Sequence, residues 1–235
     1  MATRPEAIYG LSLCAGIGGI DLGISLALGE RYRTAAYVEQ CSYCAATLVA
    51  RMADSSLDPA VVADDLAGFD GKPWRGKISI ISAGLPCQPY SVAGRQRGHA
   101  DPRAFGEDFS GPVPHALRII GECLPALVFL ENVPGWIRFF RPVGEELARL
   151  GYRIEAGLFS SEVAGAPHRR ERFFVYAERV SDSRRTNLWE EPGGRGGSRD
   201  GTGAAQPGDM GGEVADALDD EIAEAVASVD YRDHT

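Results

Sequence analysis

The strongest constraint on the fold is an alternation of apolar, strand-like segments with helix-like segments, which continues from the N-terminus to about residue 178. Short apolar runs bounded by turn residues predict strands, and apolar residues spaced three or four apart predict helices. The predicted strands are residues 9–14, 34–39, 78–83, 126–131, 153–160 and 172–177. Strands that alternate with helices predict an α/β fold, with a mostly parallel twisted sheet and helices on both faces.

The chain is expected to form one main domain, residues 1–178, followed by an acidic, glycine-rich tail, residues 179–235. Of the net charge of −9, the main domain contributes −2 and the tail −7. A basic face on the main domain is therefore compatible with the overall charge, and a nucleic-acid partner is not excluded. The low apolar content of the tail predicts a flexible segment.

Composition also bears on the cellular compartment. No apolar run reaches the roughly 18 residues of a membrane-spanning helix, and the first residues lack the pattern of a secretory signal. The five cysteines are irregularly spaced, which predicts reduced thiols rather than a disulfide framework. We therefore expect a cytoplasmic protein without a membrane partner.

Cys87 is the first candidate catalytic residue. It lies in the tripeptide Pro86-Cys87-Gln88, directly after the apolar run 78–85, so it follows the carboxyl end of a predicted strand. Loops at that edge of a parallel sheet commonly hold ligands and catalytic groups. One interpretation is a nucleophilic thiol, and the other is a small buried apolar side chain.

A glycine-rich turn and two carboxylates suggest a nucleotide-like ligand. Residues 14–19 link a predicted strand to a helix, but Asp21 occupies the position of the third glycine of the dinucleotide fingerprint. Glu39 ends the next strand, where a carboxylate can accept hydrogen bonds from ribose hydroxyls. Asp65 can accept from an adenine amino group in the same way. The alternatives are a solvated acid at Glu39 and a turn aspartate at Asp65.

Glu131 follows five apolar residues, 126–130, at the carboxyl end of another predicted strand. A carboxylate there is costly to bury without a purpose, and near Cys87 it can share a proton with a substrate ring nitrogen. The arginine-rich segment 165–174 can bind phosphate or hold a carboxylate such as Glu131 in place. Its alternative is a solvated strand edge.

Cys41 and Cys44 have the spacing of a redox or zinc pair, but no second cysteine or histidine pair accompanies them. The four histidines also lack metal-ligand spacing. We therefore predict no metal site, and we assign the two cysteines to helix packing.

Taken together, these segments resemble the DNA (cytosine-5)-methyltransferase family over about residues 8–178. The matching segments are Cys14-Ala15-Gly16-Ile17-Gly18-Gly19, Glu39, Asp65-Leu66, Gly84-Leu85-Pro86-Cys87-Gln88-Pro89-Tyr90-Ser91, Glu131-Asn132-Val133 and Gly165-Ala166-Pro167-His168-Arg169-Arg170-Glu171-Arg172. The Pro-Cys-Gln and Glu-Asn-Val segments, in this order, are highly specific to the family.

The resemblance implies a Rossmann-like methyltransferase fold and S-adenosylmethionine as cofactor. It implies that the Cys87 thiolate adds to C6 of a cytosine flipped out of duplex DNA, while Glu131 acts at N3 and Arg172 contacts O2. The implied cofactor pocket contains Cys14, Gly16, Gly18, Glu39, Asp65, Leu66 and Pro86. The implied DNA contacts are Gln88, Ser91, Arg95, Asn132 and Arg170.

Three departures from the family pattern qualify this expectation. His168 stands where the family usually has glutamine, and Cys14 replaces a usual phenylalanine. Residues 179–235 match neither the family's target-recognition domain nor its terminal Gly-Asn segment. The chain is thus expected to be a DNA methyltransferase of a restriction–modification system. The alternative is a truncated or split-enzyme subunit that binds DNA or a complementing chain without unaided catalysis.

Overall fold

The computed structural model describes residues 7–87 and 111–180. The chain divides into one unit of Met1–Arg179 and a second of Val180–Thr235, and the described elements all belong to the first. In chain order they are β1 (Ile8–Leu13), α1 (Gly19–Leu28), β2 (Tyr32–Val38), α2 (Ser42–Ala53), β3 (Val61–Ala63), β4 (Ile80–Gly84), α3 (Pro112–Cys123), β5 (Leu127–Asn132), α4 (Arg141–Arg149), β6 (Tyr152–Ser160) and β7 (Glu171–Arg179). Short 3-10 helices cover Gly29–Arg31, Lys72–Trp74 and Pro134–Phe139. The predicted flexible tail lies outside the described residues.

The described strands form one sheet in the order β3-β2-β1-β4-β5-β7-β6. The pairings from β3 to β5 are parallel, whereas β7 runs antiparallel to both of its neighbours, β5 and β6. Strand order reverses at β1, because the chain moves outward to β3 and then returns to place β4 on the other side of β1. Right-handed crossovers then put α1 and α2 on the face opposite α3. The predicted mostly parallel α/β sheet is confirmed.

The strands at this reversal lie in the buried core. All residues of β4 except Gly84 are buried, as are Leu11 and Leu13 of β1. A strand covered on both faces needs continuous apolar character, which is the pattern of the predicted strand 78–83. In α3, the buried residues recur at helical spacing: Val113, Ala116, Leu117, Ile119, Ile120 and Cys123.

No helix within the described ranges combines the length and the apolar character that crossing a bilayer requires.

Candidate functional site

The sheet topology collects the predicted site residues at one edge. In a parallel sheet the carboxyl ends of the strands meet at the same edge, and ligands bind where the strand order reverses. The chain leaves β1 into the glycine turn, β4 into Pro86-Cys87, and ends β5 with Glu131 and Asn132. Since β7 is antiparallel to β5, its first residues reach this edge too, and Phe174 pairs with Glu131.

The glycine turn after β1 requires unusual backbone conformations. Gly16 and Gly18 have φ values of +57° and +78°, in the left-handed region that glycine adopts without strain. Gly18 precedes α1, and its carbonyl accepts the Leu22 N–H at 3.0 Å. A Cβ on Gly16 would meet no described atom within 4 Å, so the turn borders open space.

Glu39 faces this turn from the end of β2. Its Oε2 accepts the Gly16 N–H at 2.6 Å, and its Oε1 accepts the Cys41 N–H at 2.7 Å. The Glu39 N–H donates to the Ala63 carbonyl at 2.8 Å, which continues the pairing of β2 with β3. Two backbone donors thus fix a half-buried carboxylate beside the open side of Gly16, and each carboxylate oxygen keeps a lone pair for a ligand.

Cys14 lies at the start of the same turn, with a left-handed φ of +48°. Burial, reinforced by the negative charge of Glu39, raises the pKa of its thiol to about 12. A thiol with this pKa stays protonated at neutral pH and is a poor nucleophile. Cys14 therefore acts through packing at this end of the site.

Asp65 forms a turn two residues beyond β3. Its Oδ1 accepts the Ala67 N–H at 2.8 Å, and its Oδ2 accepts the Gly68 N–H at 2.9 Å. This is the turn role given above as the alternative to adenine binding. Leu66 is also tied into the structure, because its carbonyl accepts from Nη2 of Arg118 at 3.0 Å.

Gly84 connects the glycine turn, on one side of the site, with the Glu131 carboxylate on the other. A Cβ placed on Gly84 would lie 3.5 Å from the Cys14 carbonyl oxygen and 3.8 Å from Oε2 of Glu131. The end of β4 therefore passes between the glycine turn and the Glu131 carboxylate. Pro86 and Cys87 continue from this point and are half-buried. The predicted contacts Gln88, Ser91 and Arg95 lie outside the described residues.

Glu131 forms an ion pair with Arg172. Nε of Arg172 lies 2.7 Å from Oε1 of Glu131, and the two side chains are only 22% and 24% exposed, respectively. Burial raises the pKa of Glu131, although the charges of Arg172 and Arg170 oppose this effect. The expectation that an arginine of segment 165–174 holds Glu131 is confirmed for Arg172. The result is a positioned carboxyl group that takes up a proton more readily than an exposed glutamate does.

Asn132 and Arg170 border this ion pair. Asn132 is 1% exposed, and its Oδ1 accepts the Val133 N–H at 2.8 Å, while its Nδ2 has no acceptor among the described residues. Arg170 is exposed, and its N–H donates to Oγ of Ser161 at 3.0 Å. The Ser161 hydroxyl in turn donates to the His168 carbonyl at 2.6 Å, which braces the connection between β6 and β7.

Asp21 is a structural residue of the site that sequence reasoning missed. It is 1% exposed, and its two oxygens accept hydrogen bonds from Ser12 Oγ at 2.7 Å and Ser82 Oγ at 3.1 Å. Burial raises its pKa, while the two serine hydroxyls oppose the rise. Asp21 thus joins α1 to β1 and β4 behind the glycine turn. The sequence signal was an acid in the first turn of α1, together with a single serine in β1 and another in β4.

Comparisons with known proteins agree with this geometry. The family model for the C-5 cytosine-specific DNA methylase matches residues 8–193. The type II methyltransferase M.PspPI of Psychrobacter sp. is 31% identical over 188 residues, which cover 77% of this chain and 42% of that protein. The type II methyltransferase M.AquIA of Picosynechococcus sp. is 28% identical, with 72% of this chain and 71% of that protein covered. The chain therefore spans less than half of the first relative but most of the second.

Among solved structures, a mutant of DNMT2 from Spodoptera frugiperda superposes with a TM-score of 0.59 at 18% identity. The match covers 75% of this chain and 51% of that one. At this identity the likeness concerns the fold, and it agrees with the Rossmann-like methyltransferase architecture.

Proposed function

Because this chain belongs to the C-5 cytosine-specific DNA methylase family, we propose that it methylates C5 of cytosine in DNA through a covalent adduct with Cys87. The observation that carries the proposal is the Glu131–Arg172 ion pair, at 2.7 Å, on the same sheet edge as Cys87. A nucleophile, a proton-sharing carboxyl group and a fixed cation are the groups that addition to a cytosine ring requires.

The glycine turn and Glu39 fit S-adenosylmethionine. Glu39 is fixed by two backbone donors and has remaining lone pairs for the two ribose hydroxyls. The open space beside Gly16 admits a ligand close to the backbone. We assign Cys14, Gly18, Leu66 and Pro86 to the walls of this pocket. Asp65 keeps one lone pair on each oxygen for the adenine. When bound, this cofactor supplies the methyl group.

The chain's own residues then act on the cytosine. The Cys87 thiolate forms a bond to C6, and the electron pair of the C5–C6 double bond makes C5 nucleophilic. Glu131 provides a proton at N3, so negative charge does not build up on the ring. Arg172 orients Glu131 and donates to O2. After C5 has gained the methyl group, a solvent base takes the C5 proton, which restores the C5–C6 double bond and expels the Cys87 thiolate. N3 then returns its proton to Glu131.

We further propose that the substrate is duplex DNA with the target cytosine flipped out of the stack, since C5 and C6 cannot be attacked inside it. Gln88, Ser91, Arg95, Asn132 and Arg170 are the residues we expect to contact the DNA. A complementing chain and a cytoplasmic location remain predictions.

A duplex containing 5-fluorocytosine tests the proposal, because fluorine at C5 prevents the final elimination and traps the adduct. The wild-type protein, with S-adenosylmethionine, should form a covalent complex that survives denaturing electrophoresis. Cys87→Ala should form none, and Cys123→Ala, which alters a buried thiol outside the site, should still form it. The assay uses a pool of random duplexes, with and without an added target-recognition segment from a relative. No adduct under either condition would refute covalent catalysis by this chain.

A further inference from the structure

Three potential metal ligands converge where β2 passes into α2. A carboxylate oxygen of Glu39 and the sulfur atoms of Cys41 and Cys44 all lie within 4.8 Å of one another. Both cysteines are free thiols, with Cys41 exposed and Cys44 half-buried. The sequence showed the Cys-x-x-Cys spacing, but only the fold brings a third ligand to it.

The backbone fixes this arrangement. The Cys41 N–H donates to Oε1 of Glu39 at 2.7 Å, so the carboxylate and the first cysteine are held together. Cys41 precedes α2, and its carbonyl accepts the Ala45 N–H at 2.9 Å. Cys44 follows in the first turn of the helix, where a residue three positions on lies on the same face. The three ligand atoms are therefore preorganised by a strand end and a helix start.

We propose that Glu39, Cys41 and Cys44 form a binding site for a thiophilic divalent cation of the zinc class. Tetrahedral zinc has Zn–S distances of about 2.3 Å and Zn–O distances of about 2.0–2.2 Å, so its ligand atoms lie up to about 3.8 Å apart. The three ligand atoms of the cluster all lie within 4.8 Å of one another. A convergence of at most about 1 Å closes the site, and small side-chain rotations, above all of the exposed Cys41, supply it. Two thiolates select a soft cation over magnesium or calcium.

The site has a consequence for the cofactor pocket, and this consequence rests on the proposed function. Glu39 is the residue we assign to the ribose of S-adenosylmethionine, and a bound cation uses one of the same carboxylate lone pairs. Cation and cofactor should therefore compete. Zinc would then act as an inhibitor that weakens cofactor binding through Glu39, without contacting Cys87 or Glu131.

Cobalt(II), a spectroscopic substitute for zinc, tests the cation site in the full chain without cofactor or DNA. Reduced wild-type protein should show tetrahedral d–d bands and a thiolate-to-cobalt charge-transfer band, and zinc should displace both. Cys41→Ser and Cys44→Ser should abolish the charge-transfer band or weaken cobalt binding at least about tenfold. The serine variants suit the position, because serine is a favourable residue before a helix and in its first turn. Cys14, Cys87 and Cys123 remain in every variant as internal controls.

Glu39→Gln should keep the charge-transfer band and bind cobalt about tenfold more weakly. The proposal is overturned if fully reduced wild-type protein, with its thiols confirmed by titration, shows no charge-transfer band. It is equally overturned if the band persists unchanged in the double variant Cys41→Ser/Cys44→Ser. The competition is measured separately, as the affinity for S-adenosylmethionine at increasing zinc. That affinity should fall in the wild type and stay constant in the double variant. If cobalt binds but no cofactor binds at any zinc concentration, the assignment of the pocket fails and the cation site stands.

Discussion

Replacing Arg172 with glutamine should raise the pKa of Glu131 further. In the wild type, burial favours the protonated carboxyl group, and the positive charge of Arg172 is the largest opposing effect. Glutamine keeps a side chain of moderate length with a hydrogen-bond donor, but it removes the positive charge. The substitution therefore isolates the electrostatic part of the interaction.

The magnitude follows from the geometry of the pair. With Nε and Oε1 2.7 Å apart, the charge centres are separated by about 4 Å, which corresponds to about 4 kcal/mol at an effective dielectric constant of about 20. Both side chains are about three-quarters buried. Once the charge is removed, water reorganises around Glu131 and offsets a good part of the lost attraction. A remaining effect of about 1.4–3 kcal/mol raises the pKa by about 1 to 2.

The pKa can be measured without substrate by carbon-13 NMR of glutamate side chains. Comparison with Glu131→Gln assigns the resonance, and a pH titration of its carboxyl shift gives the pKa. Arg153→Gln is the matched control. Arg153, in β6, is 62% exposed and pairs with Glu155 of β6 and Glu178 of β7, each at 3.4 Å. Arg153→Gln should leave the Glu131 titration unchanged, and Arg170→Gln should raise the pKa by less than Arg172→Gln does.

The free energy of unfolding should change with pH in the direction that the raised pKa of Glu131 predicts. A carboxyl group whose pKa is raised by folding favours the folded state most when it is protonated, below its unfolded pKa. This contribution is lost as pH rises through the folded pKa. Arg172→Gln should therefore lower the free energy of unfolding more at pH 8 than at pH 4. The difference between the two losses, measured in urea titrations, should be about 1.4–3 kcal/mol. A pKa of Glu131 that stays the same or falls in Arg172→Gln would refute this account of the ion pair.

Two further predictions concern the support of the glycine turn, and urea unfolding measures both. Asp21→Ala should lower the free energy of unfolding by about 2–4 kcal/mol, because it leaves the buried hydroxyls of Ser12 and Ser82 without their acceptor. An unchanged free energy of unfolding would contradict the structural role of Asp21. Gly18→Ala should cost about 1–3 kcal/mol, because φ is +78° and the new Cβ would lie 2.5 Å from Leu57 Cδ1. Gly19→Ala, with no atom of the described residues within 4 Å of the new Cβ, should be neutral or stabilising. Equal losses in both variants would contradict the reasoning.

The order and type of the elements were predictable because local patterns encode them. The strand predicted at 9–14 is Ile8–Leu13, and the strand predicted at 78–83 is Ile80–Gly84. The observed strand ends differ from the predicted ones by one or two residues, because hydrogen bonding to neighbouring strands determines where a strand ends. The apolar pattern does not encode strand direction, so the antiparallel orientation of β7 was visible only in the structure.

The site was predictable where one residue sufficed and was missed where residues distant in sequence combine. Glu131 followed from an acid after five apolar residues. Asp21 was noticed only as a non-glycine, because its partners lie 9 and 61 positions away in sequence. The absence of a metal site at Cys41 and Cys44 stays a prediction. It considered only cysteine and histidine partners, whereas the third ligand of the proposed site, Glu39, is a carboxylate two residues before Cys41.

The direction of β7 explains how the positive charge of Arg172 comes to lie beside Glu131. A parallel strand beside β5 would begin at the opposite edge of the sheet, so an arginine in its first residues would lie a full strand length from Glu131. Because β7 is antiparallel, with Asn132 opposite Phe173, its second residue, Arg172, reaches the carboxyl edge and contacts Glu131 at 2.7 Å. The braced connection from Ser160 to Glu171 then fixes where β7 begins. Lengthening that connection by one residue without shifting the β5–β7 register should preserve the ion pair, whereas a one-residue slip of β7 should break it.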